Sequence, residues 1–116
     1  MAGPVASAAP DCGTLFAPPA GAVPLCDEHN LGNGAEIHWR SFAIGEAFAA
    51  VSERYRKLGA ACGAEVKAED HELSLGKGEE RLSVHPSTPR TYPSCAGQAP
   101  LADQPTVVVV SVLFRR

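Results

Sequence analysis

The run Thr106 to Phe114, TVVVVSVLF, constrains this chain more than any other stretch. A membrane-spanning helix needs about 20 consecutive apolar residues, and this run is shorter and dominated by β-branched side chains, which favour strands. Most strands of a small antiparallel sheet alternate apolar and polar residues because one face meets water. A strand that is apolar on both faces belongs inside its sheet, with cover on each side.

The segments upstream supply the rest of such a sheet. Ala35 to Ile44, AEIHWRSFAI, places Ile37 and Trp39 between Glu36, His38 and Arg40, then shifts phase to Phe42 and Ile44. This predicts a half-buried strand with a bulge near Ser41. Gly45 and Glu46 are expected to open a helix whose Phe48, Val51, Tyr55 and Leu58 fall on one face, with Glu53 and Lys57 paired on the wet side. Gly59 is the expected helix stop. From Ala64 to Pro86, apolar residues alternate at Val66, Leu73, Leu75, Leu82 and Val84, with turns at Glu69 to His71 and Gly76 to Glu79. That pattern predicts a three-stranded meander. The chain then runs through a long loop rich in Pro, Ser and Thr up to Pro105.

The fold class expected is therefore α+β: an antiparallel sheet of about five strands in the order β-α-β-β-β-β, with one helix packed on one face. Residues 1–24 are rich in Pro, Ala and Gly and read as an irregular arm. Residues 25–116 form a single α+β domain, consistent with a chain of 116 residues. Within the arm, Leu15, Phe16 and Val23, together with Leu25 just beyond it, are large enough to be stitched onto the sheet, with Cys12 or Cys26 as the fastener. One helix covers one face only. The other face calls for the arm, the loop 86–105, a protein partner or a second copy of the chain.

The net charge of −3 and pI near 5.7 give no basic footprint for nucleic acid. No stretch reads as a transmembrane segment, and the first residues show neither the basic nor the apolar region of a secretory signal. Four cysteines, Cys12, Cys26, Cys62 and Cys95, favour disulfides in an oxidising compartment or a metal site.

The quartet Cys26-Asp27-Glu28-His29 is where those two readings meet. A Cys-x-x-His pair can chelate zinc, and His38 or His85 with Cys95 would have to complete the set from distant segments. Specific zinc modules repeat a close ligand pair, and none recurs here. The quartet is therefore read as a loop in which Cys26 anchors a disulfide and His29 is a solvated neighbour that coordinates nothing. Cys26 to Cys95 is the preferred bond, tying the approach to the first strand to the approach to the last. Cys12 to Cys62 is the complementary pairing, although Cys62 reads equally as a buried free thiol. A cysteine nucleophile at Cys26 with His29 as base has no nucleophile turn around it. Ser41, Ser74, Ser83 and Ser111 read as structural, and LGNGAE lacks the spacing of a phosphate loop.

Gly34 to Pro86 resembles one βαβββ module of the vicinal oxygen chelate (glyoxalase-like) superfamily. The likeness rests on His38 in the first strand, on Tyr55, Leu58 and Gly59 at the helix end, and on LSVHP closing the meander. It departs in having Arg54 where that pattern has Phe, His85 where the fourth-strand ligand is usually Glu, and an extra final strand. The resemblance implies a divalent metal as cofactor, held by His38 and His85 in a site completed by dimerisation. Ala35 to Phe114 is also similar to small uncharacterised bacterial envelope and secreted α+β proteins, which implies a fold and no activity.

These readings converge on a non-enzymatic, exported or envelope-associated structural or interaction module, secreted or periplasmic, stabilised by disulfide bonding and without a cofactor. The alternatives are the divalent-metal protein just described and a domain that binds a small apolar ligand on its uncovered sheet face. A cytoplasmic protein with reduced thiols is the alternative for its location.

Overall fold

The computed structural model describes residues 12–87 and 103–115, and for Arg115 the backbone alone. Among these residues it is an α+β fold: one α-helix, α1 (Phe48–Ala61), lies on a six-stranded antiparallel sheet. The strands are β1 (Val23–Gly32), β2 (Ala35–Ile44), β3 (Glu65–Glu69), β4 (Glu72–Lys77), β5 (Glu80–Pro86) and β6 (Thr106–Arg115), in the spatial order β1-β2-β6-β5-β4-β3. β6 does lie inside the sheet. It pairs with β2 from Ile44↔Thr106 to Ala35↔Arg115, and with β5 from Pro86↔Thr106 to Glu80↔Val112.

The sixth strand is β1, which contains the Cys26 to His29 quartet expected to be a loop. Its burial is confined to Leu25 and Cys26 and the rest is exposed, so it carries no apolar alternation to announce a strand. Its charged residues suit a sheet edge, where they discourage pairing with other chains. Asn33 and Gly34 join β1 to β2 with φ of 45° and 78°, the left-handed conformations that a two-residue hairpin turn requires.

The bulge expected near Ser41 is absent from β2, whose register with β6 is continuous. It lies in β1, between Pro24↔Phe42 and Cys26↔Ser41. The phase change in β2 has a different cause: Ser41, Phe42, Ala43 and Ile44 are all buried, so the strand passes from one-sided to two-sided burial without any backbone slip.

α1 packs over β3, β4 and β5. Val51 and Tyr55 meet Phe42, Ile44, Leu73, Leu75, Leu82 and Val84 in the main core, and Phe48 and Leu58 flank them. The helix starts at Phe48 rather than at Gly45 or Glu46. Glu46 serves as a brace for the connection: its carboxylate accepts two hydrogen bonds from Arg54, at 2.9 and 2.8 Å, and its carbonyl accepts one from the Thr106 hydroxyl at 2.6 Å.

The helix also runs past Gly59 to Ala61, and Gly63, at φ 77°, takes the left-handed position. Gly59 is there for contact: a Cβ on it would stand 2.7 Å from Leu75 Cδ2 and 3.1 Å from Cδ1. At the helix end, the Lys77 ammonium donates to the Cys62 carbonyl at 2.7 Å, a cation at the negative pole of the helix.

The described part of the arm, from Cys12 onward, packs on the sheet and helix. Cys12–Thr14 form a single 3-10 turn, after which Leu15 and Phe16 are buried in the main core. Cys12 is disulfide-bonded to Cys62. On the opposite face a smaller cluster gathers Leu25, Cys26, Ala43 and Val107, with Trp39 and Val109 against it.

Gly59→Ala isolates close packing from helix propensity. Alanine gains up to about 1 kcal/mol in propensity, whereas overfilling a buried contact costs roughly 1–3 kcal/mol. Leu75 is only 1% exposed and has little room to retreat. Denaturant unfolding should show a net loss of about 1–2 kcal/mol, and Leu75→Val in the same chain should recover part of it.

Candidate functional site

The Asn33-Gly34 turn sets the register of the β1–β2 hairpin back as far as the bulge at Leu25. Between the two, Asp27 lies opposite Arg40, His29 opposite His38, and Leu31 opposite Glu36. The result is a cross-strand cluster in which each imidazole takes the carboxylate diagonal to it. His38 Nε2 lies 2.6 Å from Asp27 Oδ1, and His29 Nδ1 lies 2.6 Å from Glu36 Oε2. The two imidazoles stack with centroids 4.0 Å apart and planes 6° from parallel.

The cluster sits on the helix-bearing side of the sheet, at the end that α1 leaves open. His38 and Glu36 are half-buried, while His29 and Asp27 are exposed. On β6, Val112 faces His38 and Phe114 faces Glu36. The surrounding surface is apolar at Leu31 and Phe114, which are 70% and 50% exposed. Arg40 lies over the Phe42 ring, 5.7 Å from its centroid. Asp27, His29 and His38 each offer one donor atom, and the three atoms lie within 4.8 Å of one another.

The sequence neighbours of each residue do not reveal this grouping. The signal was present: a two-residue Asn33-Gly34 turn fixes the pairing of everything beyond it, and Asp27-x-His29 and Glu36-x-His38 fall opposite by counting outward from the turn.

The other candidates separate. Cys26 lies opposite Ser41, on the face away from His29, and it is disulfide-bonded. The Cys-x-x-His chelate and the Cys26 nucleophile are both excluded by that placement. Cys95, the partner expected for Cys26, lies outside the described residues. His38 and His85 also fail to meet within one chain. His38 pairs with Val112 and His85 with Val107, an odd number of residues apart on β6, so they point to opposite faces of the sheet. The order β2-α1-β3-β4-β5 keeps the βαβββ sequence of elements, but β6 stands between the strands that carry the two histidines.

A depression of about 360 Å³ lies between residues 17–20 and α1, with Glu46, Arg54 and Tyr55 in its wall. Its charged groups are already paired with each other. Comparison with protein-family models, curated proteins and solved structures finds no match to this chain.

His85 is half-buried, with Nε2 2.9 Å from the Ser83 hydroxyl. Burial holds its imidazole below the ordinary value of 6.5, against a smaller opposing pull from Glu72. As pH falls below that ordinary value, the unfolded chain binds a proton that the folded chain resists, so stability declines until the folded value is passed. His85→Gln should flatten part of the fall in thermal midpoint between about pH 7 and pH 5. An unchanged slope would show that burial of this ring does not set the acid sensitivity.

Proposed function

We propose that this protein is a small structural or interaction module of an oxidising, extracytoplasmic compartment, built around a disulfide rather than around a reaction centre. The observation that carries the reading is the Cys12–Cys62 bond, with its Cα atoms 5.5 Å apart across a sequence separation of 50. Such bonds persist where thiols are not kept reduced. This one fastens the short segment bearing Leu15 and Phe16 to the end of α1 and so completes the main core. Among the described residues no helix is long and apolar enough to cross a membrane.

The surface suited to a partner is the open end of the sheet. β1 is an edge strand, and Leu31 and Phe114, both opposite Glu36, stand exposed on one face near it. Exposed apolar side chains grouped beside an open edge favour contact with another protein.

Trapping free thiols by alkylation at the moment of lysis, in the protein's own cells, tests the compartment. Cys12 and Cys62 should escape the reagent, and quantitative alkylation of both would overturn the reading. In the purified protein, replacing both by serine should lower unfolding stability by about 4 kcal/mol, the loop-closure value for a bond of this span, as measured by denaturant titration under non-reducing conditions.

A further inference from the structure

We propose that the Asp27–His29–His38 cluster is a binding site for a late first-row divalent transition metal, with zinc as the test ion. Imidazole nitrogen with one carboxylate oxygen is a donor set that suits zinc, copper and nickel, and it does not favour calcium or magnesium.

The strands do most of the positioning. His29 and His38 are a directly opposed register pair, and Asp27 is diagonal to His38 across the same two strands. A tetrahedral zinc site holds its donors roughly 3.3 Å apart, given metal–ligand distances near 2.0–2.2 Å. The three donor atoms lie within 4.8 Å of one another, so the shell closes by side-chain rotation that tilts the two stacked imidazoles toward one ion, with the backbone in place. The Asp27 and His38 atoms, now 2.6 Å apart, move slightly outward as the ion enters between them. The proton they share passes to solvent, since a ligating imidazole nitrogen must be free of it.

Glu36 supplies what a bare trio lacks. Its carboxylate already engages His29 Nδ1 at 2.6 Å, which orients the ring and leaves Nε2 for the ion, the carboxylate–histidine–metal arrangement that raises ligand basicity. Three protein ligands leave a fourth position for water or for a donor from a partner. The site faces the same open sheet end as Leu31 and Phe114, so an ion there would be accessible to whatever docks on that end. Thiolates do not compete for it, because Cys12, Cys26 and Cys62 are oxidised.

The test is a calorimetric titration of the unreduced full chain with zinc chloride, accompanied by proton NMR of the histidine rings. One saturable site per chain is expected. The ring signals of His29 and His38 should move, while those of His71 and His85 stay where they are. His29→Ala or His38→Ala should abolish the saturable isotherm, Glu36→Gln should weaken it about tenfold, and His71→Gln should leave it unchanged. Weak binding that never saturates, a site that survives both alanine variants, or His29 and His38 signals that do not respond would overturn the proposal. The NMR arm uses the unaltered chain, so a variant that fails to fold does not decide the outcome.

Discussion

Insertion of β6 between β2 and β5 is the contact on which the rest of the structure depends. Without it, the sheet is two separate pieces: the β1–β2 hairpin and the β3–β4–β5 meander that carries α1. β6 supplies Val108 and Val110 to the helix-side core and Val107 to the opposite cluster. Its apolar character on both faces is therefore a requirement of its position. A polar residue at any of these three sites would be buried without water, and an unpaired buried polar group is costly.

The parts of the fold that were legible from sequence are those in which burial leaves a periodic trace. β6 announced itself by Val107 to Val110, the meander by Leu73, Leu75, Leu82 and Val84, and α1 by the spacing of Val51 and Tyr55. β1 was not legible because an edge strand facing water on both sides has no apolar period to display. The phase change after Arg40 was real, yet two-sided burial of Ser41 to Ile44 produces the same pattern as a bulge. Gly59 looked like a helix terminator because glycine's conformational freedom is the usual reason for its presence near a helix end, whereas here its missing side chain makes room for Leu75.

The histidine cluster was hidden for a related reason. His29 and His38 are separated in sequence, and each taken alone reads as a surface imidazole. What joins them is register, a property of the pair of strands and not of either one. The bulge at Leu25 is a second hidden element, since it lets Leu25 and Cys26 both occupy buried positions on the face away from Asp27 and His29. The bulge thus serves the small core on one face, while the turn composes the charged cluster on the other.

The central placement of β6 also gathers long-range contacts of the sheet into one strand. The hairpin closes through a two-residue turn, and the meander forms through neighbouring strands with α1 lying against them, so both halves are built from contacts close in sequence. β6 makes its pairings across long separations, reaching from Thr106 back to Ile44, and the loop entropy of such contacts has to be overcome before they contribute. The two locally closed halves, hairpin and meander, thus owe their union in one sheet to a single strand distant in sequence from the hairpin.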